Sequence, residues 1–256
     1  MARVLGGPSR YVTRRSIKKY QLEFLTIFFV AYFFALILGF FLGFNFQRYP
    51  YIQIAALIFV VVAAVAARLV INKITDTLEK KRIDFRKGAA SEVLIGYILE
   101  SLSNDHTVIH GLKPKSRYGD IDHVVIGPSG VYAINTKNWK GIVAADGKGE
   151  LLWNGKPTKK PEVKNLTHTV MSIREEIKRL FELNLYIRGV LAFPAARVEA
   201  RWGSTGHVHC VTDEKLYEYI FERKKEKILS KKEIESISQA LLSLARRDKN
   251  FAPDNR

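Results

Sequence analysis

Cysteine is scarce in this sequence: Cys210 is the single one among 256 residues. A framework of internal disulfides is therefore excluded, and the composition suits a reducing compartment. Metal-site spacing is also missing around the histidines, because His207 and His209 share one face of a strand but no second ligand pair follows. The glycines at 147–149 lack the spacing of a phosphate-binding P-loop. Zinc-finger and P-loop classes are thus disfavoured.

Acidic residues are absent from residues 1–22, which carry six basic ones. The whole chain has a net charge of +16, yet residues 88–256 contribute a surplus of only six, with 27 basic and 21 acidic side chains. The basicity therefore concentrates beside the apolar runs near the N-terminus. Such flanks attract anionic lipid head groups and are weak evidence for binding to DNA.

Two long apolar runs indicate a membrane hairpin. Phe24–Phe44 is 21 residues without a charge, enough for a helix to cross a hydrocarbon core of about 30 Å. Ile52–Ala67 is shorter and reaches sufficient length with interfacial flanking residues. A signal peptide is disfavoured because no small-residue cleavage site follows the first run. Basic residues flank the pair on both sides, so we expect an integral membrane protein with both termini and the following domain in the cytoplasm.

The sequence predicts five segments. They are a basic cytoplasmic tail at 1–22, a transmembrane helical hairpin at 23–71, a basic juxtamembrane linker at 72–88, a globular domain at 89–212 and charged C-terminal helices at 213–256. Helical and alternating patterns in the globular part predict a helix from Ser91 after a break at Gly88, a strand meander, a second helix, two more strands and two helices. We therefore expect a mixed α/β domain with one central sheet. The Gly39-x-x-x-Gly43 spacing would also permit a homodimer through the first span.

The stretch DIDHVVIGPSGVYAINTK predicts a hairpin closed by the GPSG turn at 127–130. Its pairing places Asp122 opposite Asn135 and Asp120 opposite Lys137, with all four side chains on one face. The other face should carry Ile121, Val125, Tyr132 and Ile134. These polar side chains form either a chemical site or a solvated face with a cross-strand Asp/Lys pair.

Together with Glu92 in the preceding helix, this hairpin and its KNWKG continuation resemble the NERD family, the nuclease-related domain, over roughly Ala89 to Phe193. That family is grouped with the PD-(D/E)XK nuclease-like superfamily. The resemblance implies a restriction-endonuclease-like mixed sheet flanked by helices, placed here after the two predicted membrane spans. It also implies a hydrolase that cleaves phosphodiester bonds of DNA or RNA.

The resemblance assigns roles to particular residues. Asp122 would be the metal-binding carboxylate, Lys137 would stabilise charge, and Glu92 would be the acidic residue of the leading helix. Asn135 replaces the acidic residue of the Glu-x-Lys triplet and, with Asp120 as an extra ligand, would complete a site for Mg²⁺ or Mn²⁺ in an active protein. Because an amide lacks the carboxylate charge, restoring it by Asn135→Glu should raise metal affinity.

Basic and aromatic side chains surround the hairpin. Residues 113–164 carry ten basic and five acidic residues. Candidate nucleic-acid-binding residues are Lys113, Lys115, Arg117 and Lys140, and Trp139 and Trp153 could stack on bases unless they are half-buried residues of the sheet. Three functions stay open: a membrane-tethered nuclease, a catalytically impaired nuclease fold that binds nucleic acid, and a membrane scaffold that binds protein.

Overall fold

The computed structural model describes residues 1–5, 32, 50–114, 118–200, 208–221 and 228–246. The chain divides into two compact units, one formed by residues 1–11 and 87–256 and the other by residues 12–86. The first unit contains both sheets and the candidate site. The described part of the second unit is helical.

Ten strands are described. They are β1 (Arg3–Leu5), β2 (Thr107–Leu112), β3 (Ile121–Gly127), β4 (Gly130–Thr136), β5 (Gly141–Ala145), β6 (Leu151–Trp153), β7 (Lys156–Pro157), β8 (Ile187–Ala192), β9 (Ala196–Val198) and β10 (Val208–Val211). The main sheet has the order β1-β2-β3-β4-β8-β10. Strands β2, β3 and β4 form an antiparallel meander, whereas β1, β8 and β10 join it in parallel. The predicted mixed sheet is thus present.

A second sheet, of order β7-β6-β5-β9, extends from the end of β4. The sequence predicted β5 and β6 as strands but placed them in one central sheet, which is wrong. Strand β5 pairs in parallel with β9, through partners such as Gly141 and Ala196 that are far apart in sequence. Local patterns carry no information about such distant pairing, so the second sheet was missed.

Four helices are described: α1 (Pro50–Glu100), α2 (Glu162–Phe181), α3 (Asp213–Phe221) and α4 (Lys231–Arg246). One face of the main sheet packs against α2 and α4, in a core that includes Val124, Val131 and Ile173. The other face packs against α3 and residues 95–102, in a core that includes Val125 and Tyr132. Both faces of the sheet are therefore covered by helices, which fits a layered α/β domain.

Three predicted boundaries change in the structure. Residues 1–5, assigned to a basic tail, contain an edge strand of the main sheet, and the Met1 amino group donates to Asn104 Oδ1 over 2.7 Å. Helix α1 has no break at Gly88, since it runs from Pro50 to Glu100. The C-terminal helices belong to the domain core, because their periodic apolar residues pack on the sheet.

The two apolar runs that were predicted to span a membrane are described to different extents. Apart from Tyr32, the first run lies outside the described residues, and the second lies within α1. Among the residues that the structure describes, no helix is both long and apolar enough to cross a membrane.

Candidate functional site

The hairpin register agrees with the prediction. Gly127 pairs with Gly130 and His123 with Ile134, so partner numbers sum to 257 throughout. Val125, Tyr132 and Ile134 share one core as expected. Ile121 lies instead in the opposite core, together with its strand partner Leu112, which follows Gly111 at a φ of 72°. The polar residues lie at the open end of the hairpin.

Asn135 is bonded to the backbone of the facing strand. Its Oδ1 accepts a hydrogen bond from the Asp122 N–H over 3.1 Å, and its Nδ2 donates to the Asp120 carbonyl over 3.1 Å. An amide supplies both a donor and an acceptor, whereas an ionised carboxylate has no donor. Asn135 therefore joins the two strands where the regular ladder ends, and its oxygen is engaged where an ion ligand was expected.

Asp122 is the most perturbed acid of the site. Burial raises the pKa of its carboxyl from 3.8 to about 6, and the charge of Asp120 adds to the rise. The Thr136 N–H, which donates to Asp122 Oδ2 over 2.7 Å, and the Lys137 ammonium oppose the shift. A buried carboxylate that stays charged at neutral pH is costly, and such residues concentrate at functional sites.

Lys137 contacts an acid that the sequence did not identify. Its Nζ lies 2.7 Å from Glu162 Oε2, and these side chains are 25% and 15% exposed. Glu162 is the first residue of α2, a position that favours a negative charge. Twenty-five residues separate the two, so only the packing of α2 against the sheet reveals the pair. Lys137 thus interacts with two carboxylates: it contacts Glu162 directly and attracts Asp122 electrostatically without a direct contact being described.

The N-terminus of α2 is fixed beside this pair by another carboxylate. Glu150 accepts hydrogen bonds from the backbone N–H groups of Val163 and Lys164, over 3.2 and 2.8 Å. These interactions satisfy donors that a helix start leaves open. The position of Glu162 is therefore set by the backbone around it.

Glu92 is placed differently from the other predicted residues. It lies on α1, and its backbone carbonyl raises the pKa of His123. His123 is fully buried and shares a 2.7 Å Nδ1 to Nδ1 hydrogen bond with His110. Burial, together with His110, holds the pKa of His123 well below its usual value. The hairpin thus brings together Asp120, Asp122, Asn135 and Lys137, and the predicted role of Glu92 stays a prediction.

The predicted nucleic-acid contacts are only partly described. Lys115 and Arg117 lie outside the described residues, and Lys113 is half-buried at the end of β2. Lys140 is exposed directly after β4. Trp139 and Trp153 stack on each other, with ring centroids 5.3 Å apart. Basic and aromatic groups therefore adjoin the site along one chain segment.

The set of side chains that could bind a metal ion here is small. Within the described ranges, no group of three or more His, Cys, Asp and Glu side chains could hold a metal ion. Mg²⁺ is often bound through one or two carboxylates, with water and substrate phosphate as its other ligands. Asp122 and Glu162, which both lie near Lys137, could supply those carboxylates.

A family model matches the part of the chain that holds these residues. Residues 87–194 match the model of the NERD family, the nuclease-related domain. The matched range contains strands β2 to β8, helix α2 and the candidate site. The mixed α/β sheet is consistent with a nuclease-like domain, and the match associates this region with nuclease-like function.

One curated protein is similar to part of this chain. An uncharacterized protein of Bacillus anthracis is 30% identical over 122 residues, which is 46% of this chain and 58% of the relative. The chain thus spans little more than half the length of this relative. No solved structure matches the chain.

Proposed function

We propose that the NERD region is a metal-dependent phosphodiesterase acting on DNA or RNA. The observation that carries this proposal is the grouping of Lys137 with Glu162 and Asp122 at the open end of a strand hairpin. It supplies a cation for phosphate and carboxylates for a metal ion in a partly buried place. Glu162 provides the second negative charge that Asn135 lacks.

Each residue has a physical task in this proposal. Asp122 and Glu162 would hold Mg²⁺ or Mn²⁺, and the bound ion would supply charge neutralisation and an activated water. Lys137 would turn from Glu162 towards a non-bridging phosphate oxygen, where its ammonium stabilises developing negative charge. Asn135 keeps the strand ends together, so that Asp122 is held against the Thr136 N–H.

A second candidate function is nucleic-acid binding without hydrolysis. The engagement of the Asn135 amide with the backbone favours it, because this position offers no carboxylate to an ion. The Lys137 contact with Glu162 also gives this acid a neutralising partner without any metal. Both candidate functions require binding of nucleic acid, and only the first includes its cleavage.

A cleavage assay separates the two candidates. The full chain is incubated with labelled DNA and RNA, single- and double-stranded, in Mg²⁺, Mn²⁺ or EDTA. Metal-dependent cleavage that is lost in Asp122→Asn and strongly reduced in Lys137→Met supports the enzyme. Lys178→Met, on the last turn of α2, is the matched control and should cleave normally. Binding without cleavage under every condition would favour the second candidate.

We also propose that the region is tethered to a membrane with both termini in the cytoplasm. The support is the 21-residue uncharged run Phe24–Phe44, the second run Ile52–Ala67 and the basic residues on both flanks. A reporter that is active only in the cytoplasm should function at either end of the chain. An inactive reporter at one end would contradict the hairpin topology.

A further inference from the structure

Trp153 is an exposed aromatic side chain in a fixed position. It is 41% exposed at the end of β6, and its ring stacks on Trp139 at an interplanar angle of 21°. Trp139 in turn lies against the fully buried Phe193, with centroids 5.4 Å apart. The outer indole therefore rests on an aromatic column that reaches into the core.

Hydrogen bonds hold this indole at its edge. Trp153 Nε1 donates to the Lys140 carbonyl over 2.8 Å. The adjacent Asn154 bonds to the same segment, because its Oδ1 accepts from the Ile142 N–H and its own N–H donates to the Ile142 carbonyl, both over 2.8 Å. Asn154 and Gly155 have φ of 50° and 75°, as the tight turn between β6 and β7 requires. The indole is thus oriented before any ligand arrives.

Exposed lysines adjoin Trp153 along the chain and across the β6–β7 turn. Lys156 pairs with Trp153 across the β6–β7 turn and is exposed, as is Lys140. Further exposed lysines follow at 159 and 160. The nearby acids are engaged within the fold, since Asp146 accepts from the Lys148 and Glu150 N–H groups and Glu150 binds the N-terminus of α2. Residues 140–160 carry five lysines and two acidic residues, so this segment has a surplus of three positive charges.

We infer that Trp153 is a stacking platform for the bases of single-stranded nucleic acid, and that Lys140 and Lys156 contact the phosphate backbone of the same strand. This inference rests on the proposed function and adds its substrate class. Bases of a duplex are stacked on one another, whereas a single strand offers free base faces to an aromatic ring. Trp139 follows Lys137 by two residues, so a strand held on this platform would continue into the candidate site. Stacking also tolerates any base, so little sequence preference is expected.

Binding is tested in EDTA, so that catalysis plays no part. Fluorescence anisotropy compares a labelled single strand and a duplex of equal length on the full chain. We expect the single strand to bind more tightly, and Trp153→Ala to weaken it by about 10-fold or more while leaving duplex binding unchanged. Trp153→Phe, which keeps a ring, should lose less. Tyr217→Ala removes another exposed, stacked aromatic, on α3, and should have no effect.

The salt dependence of single-strand affinity provides a second readout, which reports the phosphate contacts of the lysines and does not depend on Trp153. Lys156→Ala should lower the slope of log affinity against log salt by about 0.7 for single strands. Wild-type affinity in both Trp153→Ala and Lys156→Ala, or tighter binding of duplex than of single strand, would overturn the inference. Trp153-dependent binding without cleavage would refute only the hydrolytic function. Cleavage with Trp153-independent binding would refute only the platform.

Discussion

Replacing Asp122 by Asn should stabilise the fold at neutral pH. Burial holds the pKa of Asp122 at about 6 against 3.8 in an open chain, which corresponds to about 3 kcal/mol at pH 7. An asparagine keeps an acceptor for the Thr136 N–H and has no charge to desolvate. The attraction to Lys137 is already included in this shift, and because the Asp122 side chain keeps partial contact with solvent, about 3 kcal/mol is an upper limit. For a domain of this size the melting temperature should rise by at most about 6 to 12 °C.

The pH dependence has a definite sign. The folded pKa is the higher one, so the folded state binds the Asp122 proton more tightly than the unfolded state does. The cost of the charge is therefore complete above about pH 6 and disappears below 3.8. Thermal unfolding of wild type and Asp122→Asn in EDTA should differ most near pH 7 and converge near pH 4.

Asp146 provides a control of opposite sign. The Glu150 and Lys148 N–H groups lower the pKa of its exposed carboxyl, so Asp146→Asn should not stabilise the protein at pH 7. Equal or lower stability of Asp122→Asn at pH 7 would refute the reasoning that Asp122 is held charged at a cost to the fold.

Three further changes test the surrounding structure. Burial depresses the pKa of His123 well below 6.5, so its contribution to the unfolding free energy falls as pH drops below 6.5; urea unfolding of wild type and His123→Leu at several pH values should show a smaller acid loss in the variant. Gly141→Ala, at a φ of 98° and with its new Cβ colliding with Asn154 Oδ1, should cost about 1–3 kcal/mol in urea unfolding and weaken single-strand binding. Asn135→Asp loses the donor to the Asp120 carbonyl and should cost about 1–3 kcal/mol by the same measurement, and unchanged stability would show that this bond is dispensable.

Local patterns were sufficient for the hairpin. The GPSG turn fixed the register, so the pairing of His123 with Ile134 and the gathering of Asp120, Asp122, Asn135 and Lys137 followed from spacing alone. The side-chain bonds of Asn135 did not follow, because a pattern does not show which atoms an amide will contact. Asn135 Oδ1, which was expected to bind a metal ion, accepts a hydrogen bond from the Asp122 N–H instead.

Long-range pairings could not be predicted. Glu162 meets Lys137 only because α2 packs on the sheet, and β1 meets β2 across about a hundred residues. The resemblance supplied no signal for Glu162, since that position lies outside the hairpin motif. A search for acidic residues in the first turn of the following helix could have found it, because helix starts favour acids.

Calorimetric titration of Mn²⁺ into the full chain tests most directly whether the residues around Lys137 form a metal-dependent site. We expect wild type to bind the ion, Asp122→Asn to lose this binding and Glu162→Gln to bind more weakly, while the exposed control Glu175→Gln binds as wild type does. An absence of binding by wild type, or the same isotherm for wild type and Asp122→Asn, would contradict the proposed site.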